Sequence, residues 1–249
     1  MTQPRALITG SQGGIGRALV QAFSDAGYAV IGMDLAEHAG DQAPALSQYI
    51  SADLYRLCTE ADYRQATLAS VHAACGPQLN VLINNAAWQV VKPTHALSLD
   101  DWLRTQHVNV TAPFLLSQAL LPQLEAAQGS VINIASIHGQ LTKPEFVAYA
   151  TSKTALVGMT RAMAVDLGGK VRVNAVCPAA IATPMLVAGF EGREEAFKEL
   201  AAMHPAGRIG QPDEVARCCL MLADAQLGFL TGACMALDGG IGARLHDPV

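Results

Sequence analysis

Charge is scarce in this chain. Asp, Glu, Lys and Arg make up 15% of its 249 residues, against about 25% in an ordinary globular protein, while apolar side chains reach 51%. That deficit predicts a surface partly covered by other subunits. The net charge is −5, with no basic run, so the electrostatic footprint of a nucleic-acid partner is missing. None of the six cysteines (Cys58, Cys75, Cys177, Cys218, Cys219, Cys234) forms a Cys-x-x-Cys pair, and none is spaced with histidine as in a zinc site, so no metal is expected. They read as reduced, mostly buried thiols of a cytoplasmic protein. Also missing are an apolar span for a membrane, a leader with a small-residue cleavage site, a low-complexity tract and an internal domain boundary. The expectation is one domain over residues 1–249, with no membrane partner and a substantial core.

What is present alternates. Ala6–Thr9 reads as a short strand, Gly10-Ser11-Gln12-Gly13-Gly14-Ile15-Gly16 as a glycine loop, and Ala18, Leu19, Ala22 and Phe23 as the buried face of a helix that Gly27 closes. Strand, glycine loop and helix in that order suit a pyrophosphate: the glycines admit close backbone approach, and the helix start offers free N–H groups. A second strand, 28–33, ends in Asp34, a carboxylate placed to accept hydrogen bonds from ribose hydroxyls and to repel a 2′-phosphate. Gly13 precedes Gly14 where a rescuing cation could stand, so NAD is expected over NADP. Further strands are read at 48–52, 80–83, 130–136, 171–177 and 233–237, with helices at 60–75, 99–124, 146–167, 194–203 and 212–223. This pattern gives an α/β fold, a parallel sheet covered on both faces with ligands at the carboxyl ends of its strands.

Tyr149-Ala150-Thr151-Ser152-Lys153 lies in the helical run 146–167. Residues four apart on a helix share a face about 6 Å apart, and an ammonium beside a phenol favours the phenolate and lowers its pKa. Asn109, between β-branched Val108 and Val110 in the long helical pattern 99–124, reads as a buried amide bonded to something. Ser136 ends the fifth strand at the sheet's carboxyl edge. The segment from Pro184 to Gly210 reads as a substrate lid.

Taken together, Thr9-Gly10-x-x-x-Gly14-Ile15-Gly16, Asp53, Asn84-Asn85-Ala86, Asn109, Ser136, Tyr149-x-x-x-Lys153 and Pro178 to Thr183 resemble the short-chain dehydrogenase/reductase family over essentially the whole chain. The resemblance implies a Rossmann-like, doubly wound parallel sheet of seven strands in the order 3-2-1-4-5-6-7, helices on both faces, and a homotetramer. It implies that Tyr149 is the general acid/base, that Lys153 lowers its pKa and holds the nicotinamide ribose, that Ser136 orients the reacting oxygen, and that Asn109 holds a water of the proton relay. It assigns cofactor contacts to Gly10, Ser11, Gln12, Gly14, Ile15, Gly16, Asp34, Leu35, Asp53, Leu54, Asn85, Ala86, Ala87, Tyr149, Lys153, Pro178, Ile181 and Thr183. Ala87 and Ala179 stand where the family usually has glycine, which a negative φ accommodates.

The substrate is less legible. Trp88, Gln89, Lys92, His138, Gln140, Lys143, Met185 and Phe190 lie beyond strand ends or in the lid. Of these, Gln89 and His138 are similar to positions that grip a carboxylate in the family's hydroxybutyrate dehydrogenases. With Lys143 and Met185 they form the expected substrate set for a small hydroxy acid or polyol. The function expected is an NAD(H)-dependent oxidoreductase acting on a secondary alcohol or ketone. The alternatives are a catalytically silent dinucleotide-binding regulator, which predicts decay of Asn109, Ser136, Tyr149 or Lys153, and an NADP-dependent carbonyl reductase. A serine hydrolase would need Gly-x-Ser-x-Gly, which is not present.

Overall fold

The computed structural model describes residues 3–245, without the side chains at positions 42–44 and 185. Strand and helix alternate along the chain. The first half runs β1 (Arg5–Thr9), α1 (Gly14–Asp25), β2 (Ala29–Asp34), β3 (Gln48–Ser51), α2 (Leu54–Thr59), α3 (Ala61–Cys75) and β4 (Val81–Asn84). The second continues with α4 (Leu99–Gln106), α5 (Ala112–Ala119), α6 (Leu121–Ala127), β5 (Ser130–Ile134), α7 (Val147–Leu167), β6 (Arg172–Pro178), α8 (Pro184–Ala188), α9 (Glu194–Met203), α10 (Pro212–Ala223) and β7 (Cys234–Leu237). The seven strands pair in parallel in the order β3-β2-β1-β4-β5-β6-β7. Strand order reverses between β1 and β4, which opens a crevice at their carboxyl ends.

Both faces of the sheet are covered, because successive side chains on a strand point to opposite sides. Leu7, Leu82, Val131 and Val173 pack into one core with Val71, Leu116 and Ala164 from α3, α5 and α7 and with Leu120 between α5 and α6. Ala6, Ile8, Val81, Ile83, Ile132 and Val176 pack into the other with Leu19, Val20 and Phe23 of α1 and Val215, Cys219 and Leu222 of α10. Each such fully buried aliphatic or aromatic side chain contributes roughly 1.5–3 kcal/mol of burial. This two-sided burial explains why the strands read as continuous apolar runs instead of alternating ones.

Three elements differ from the sequence expectation. A helix begins directly after Asp53, whose Oδ1 accepts from the backbone N–H of Tyr55 (2.8 Å) and Arg56 (3.4 Å), so Asp53 is a helix cap as well as a strand-end acid. The stretch expected as one helix over 99–124 is a chain of short pieces: α4, a π-helical turn at His107–Thr111, then α5 and α6. Pro113 has no N–H to give to the carbonyl of Asn109, as an unbroken α-helix would require. Pro122 stands in the first turn of α6, after the helix has already broken at Leu120. Finally, β5 ends at Ile134, so Ser136 lies just beyond the strand with extended backbone (φ −171°, ψ 160°).

Candidate active site

The glycine loop is built by contacts that exclude side chains. Gly10 has φ +66°, and a methyl group on Gly16 would sit 1.9 Å from the Gly10 carbonyl oxygen. The N-cap of α1 is Gly13, with no side-chain cap and no acidic residue in the first turn. Its N–H groups are thus uncovered by side chains and suit an anion. Ser11 Oγ and Gln12 Nε2 are buried with no partner among the described residues. Asp34 is aimed at the loop: Oδ2 accepts from Gln12 N at 2.7 Å and Oδ1 from Leu35 N at 2.7 Å. Uncapped N–H groups, orphaned polar atoms and a glycine cradle beside a fixed carboxylate fit the pyrophosphate and ribose of an adenine dinucleotide.

Thr9 ties this loop to the next strand. Its Oγ1 accepts from the N–H of Asn85 (3.0 Å) and Ala86 (3.1 Å), while Asn85 Nδ2 donates to the carbonyls of Thr9 and Gly10, each at 3.0 Å. The segment after β6 leans over the loop from the other side. A methyl group on Gly14 would meet Thr183 Cβ at 2.8 Å and Pro184 Cδ at 2.9 Å. Ile181 is buried and bridges to Gly210, so residues 184–210 leave and return at one point of the sheet's rim. Neither Ala87 nor Ala179 takes a positive φ; among described non-glycine residues only Gln128 and Glu145 do.

Beside the loop, α7 brings Tyr149 and Lys153 to the end of β5. Lys153 is buried, its Nζ donates to the Ile134 carbonyl at 2.7 Å, and it stands 5.5 Å from the centre of the Tyr149 ring. Burial lowers Lys153 to about 8, with the Cys177 thiol opposing. Burial raises the Tyr149 phenol to about 12, against a side-chain hydrogen bond with Ser136. Desolvation of the phenol dominates, and the ammonium is committed to a backbone carbonyl.

Asn109 sits inside the π turn, fully buried. Its Oδ1 accepts from Trp88 N (2.7 Å), and its Nδ2 donates to Trp88 O (2.9 Å) and Ser152 Oγ (2.9 Å). Both amide protons are spent, so the side chain pins the loop after β4 to α7.

The substrate set divides. His138 joins the centre: its N–H donates to Ser136 Oγ at 3.2 Å, its ring stacks on Phe146 at 4.5 Å and meets Tyr149 edge-on at 5.7 Å. Burial, then Lys143, lowers its pKa to about 4, so it is a neutral hydrogen-bonding group at pH 7. Lys143 is exposed, with Nζ 4.8 Å from the centre of the Phe146 ring. Gln89 and Gln140 are exposed, Lys92 is taken by Asp101 at 2.6 Å, and Phe190 packs on Phe197. Met185 lies in α8, and its side chain is outside the described residues. Sequence reasoning missed Ser152 and Phe146 as site-building residues, and quoted Thr9 in the glycine motif without giving it a role. The available signal was position: a strand-end threonine before Gly10, and a serine one residue before Lys153.

A sequence profile described as Enoyl-(Acyl carrier protein) reductase matches residues 10–242. The chain belongs to the short-chain dehydrogenase/reductase family. Among members of this family, it is 34% identical over 241 residues to D-threitol dehydrogenase of Mycolicibacterium smegmatis, covering 94% of this chain and 91% of that one. A ligand-free aldohexose dehydrogenase of Thermoplasma acidophilum superposes with a TM-score of 0.89 at 30% identity, covering 99% of this chain and 97% of that one. A mutant 4-hydroxyisoleucine dehydrogenase complexed with NADH and succinate gives 0.87 at 27% identity, covering 96% and 99%. As a short-chain dehydrogenase/reductase the chain is an oxidoreductase with a nicotinamide dinucleotide cofactor. Among the described residues no helix is long and apolar enough to cross a membrane, and no three His, Cys, Asp or Glu are grouped as metal ligands.

Proposed function

We propose that this oxidoreductase interconverts a secondary alcohol and its ketone with NAD(H), with a small polyol or hydroxy acid as substrate and Tyr149 as general acid/base. The observation that carries this reading is the meeting of Ser136, from beyond β5, with Tyr149 and Lys153 of α7 at the carboxyl end of a strand two places from β1 and its glycine loop. When bound, the dinucleotide supplies the hydride acceptor or donor at its nicotinamide. Tyr149 passes the proton of the substrate hydroxyl, Ser136 holds the substrate oxygen, and Lys153 holds the nicotinamide ribose while its ammonium favours the phenolate form. Gly10, Ser11, Gln12, Gly14, Ile15 and Gly16 hold the pyrophosphate. Asp34 and Leu35 take the adenosine ribose, Asp53, Leu54, Asn85, Ala86 and Ala87 the adenine side, and Pro178, Ile181 and Thr183 the carboxamide. Residues 184–210 close over the substrate, whose hydroxyls or carboxylate meet His138, Gln89, Lys143 and Met185.

Preference for NAD over NADP is supported by Asp34, whose carboxylate repels a 2′-phosphate. Kinship with a threitol dehydrogenase and an aldohexose dehydrogenase, together with a neutral His138, supports a hydroxyl-rich substrate. Low charge and exposed Leu99, Phe114, Val165 and Phe229 support a homotetramer of single-domain subunits, and six free cysteines support a cytoplasmic one. The test is steady-state turnover of D-threitol, aldohexoses, hydroxybutyrate and plain secondary alcohols with NAD and with NADP. Turnover of a polyol or hydroxy acid with NAD is expected, and Asp34→Ala should narrow the NAD preference by roughly tenfold, about 1.4 kcal/mol. Equal wild-type use of NADP overturns the cofactor assignment, and turnover of plain alcohols alone overturns the substrate class.

A further inference from the structure

Asn84 and Asn133 are amides in the middle of an apolar sheet, 2% and 0% exposed. They stand opposite one another in the β4–β5 register, on the face that α7 covers. Asn84 Nδ2 donates to Asn133 Oδ1 at 2.8 Å, Asn133 Nδ2 donates to Thr160 Oγ1 at 2.9 Å, and Thr160 Oγ1 donates to the Leu156 carbonyl at 2.8 Å. Thr160 is fully buried. Apolar residues of the same shape would fill this space at similar stability. What the polar chain adds is direction, since each bond has a fixed donor and acceptor.

Its place in the fold is specific. Ile134, the residue after Asn133, presents the carbonyl that takes Lys153 Nζ at 2.7 Å. Thr160 lies two turns beyond Lys153 on the same buried face of α7. At the other end, Asn85 follows Asn84 and holds the carbonyls of Thr9 and Gly10. Lys153 reaches β5 through a long, flexible stem, so its own hydrogen bond tolerates a shifted helix. The short side chains of Asn133 and Thr160 do not.

We propose that Asn133 and Thr160, backed by Asn84, are positioning residues that hold α7 at the height on β5 where Tyr149 and Lys153 face the glycine loop. The proposal rests on the oxidoreductase reading above. A displacement of about 1 Å in such a site costs up to 10²-fold in rate.

The experiment compares wild type with Thr160→Val, Thr160→Ser and the double variant Asn133→Leu/Thr160→Val, which removes the Asn133–Thr160 bond from both sides and takes the acceptor from Asn84 Nδ2. It measures kcat with NAD on whichever alcohol wild type turns over, NADH affinity by fluorescence, and the ultraviolet titration of the Tyr149 phenol, isolated by subtracting Tyr149→Phe in each background. Thr160→Val and the double variant should lose about tenfold or more in kcat, keep NADH affinity within about threefold, about 0.6 kcal/mol, and shift the phenol's titration. Thr160→Ser should recover most of the loss. If Thr160→Val fails to fold, the double variant decides. Folded variants with wild-type kcat and an unmoved phenol titration overturn the proposal even if they melt lower. A wild type that turns over no alcohol would instead defeat the oxidoreductase reading, and the phenol titration still judges the clamp.

Discussion

Burial acts in opposite directions on the two ends of the Tyr149–Lys153 pair, raising the phenol to about 12 and lowering the ammonium to about 8. At neutral pH the fold therefore presents a protonated phenol beside a largely charged amine. His138 behaves as a third buried group, with its imidazole lowered to about 4. The unfolded chain takes up this proton near pH 6.5, whereas the folded chain resists until about pH 4. His138 thus contributes stability that is present above pH 6.5 and is lost as pH falls from about 6.5 to 4. Urea midpoints measured across that window should fall more steeply in wild type than in His138→Asn, and parallel slopes would contradict the assignment. Asp34 stood out in the sequence by its place at the end of the second strand, and Tyr149 and Lys153 as members of an ordered motif set whose resemblance to a family assigned them roles. The roles of Thr9 and Ser152 did not, because their partners lie on other elements and only folding brings them close.

Helix and strand boundaries were legible wherever glycine, proline or an apolar run marks them, as at Gly27, at Gly168 and along β6. The π turn was not. Its cause, Pro113 removing the donor that Asn109's carbonyl would use, is a property of one residue acting four positions upstream, and hydrophobic periodicity runs through it unbroken. The oddness of an amide between Val108 and Val110 was visible, but its consequence, the pinning of the Trp88 loop, needed the fold. The α1 loop gives the sharpest test at this scale. Gly16 is confined by the Gly10 carbonyl and not by φ, so Gly16→Ala must push the loop off its path. NADH affinity, read by fluorescence titration, should drop by at least about tenfold, about 1.4 kcal/mol. Unchanged affinity would show that the loop does not hold the cofactor.

Across the molecule, the sheet order was legible only through resemblance, because strand and helix alternation fixes a parallel sheet but not which strands are neighbours. The order found, with β1 and β4 side by side, brings Gly10 and Asn85 together and sets β5 next to them. The same topology lays α7 across β5, so that residues distant in sequence share one rim of the sheet. The substrate set scattered because loops beyond strand ends are placed by contacts of their own: Lys92 is held by Asp101 and Phe190 by Phe197.

The central claim is that this convergence makes Tyr149 the group that moves the proton. The most direct measurement pairs NADH binding with single-turnover kinetics in Tyr149→Phe. The account predicts NADH affinity close to wild type with turnover reduced by roughly 10²-fold or more. Full turnover without the phenolic hydroxyl would contradict it.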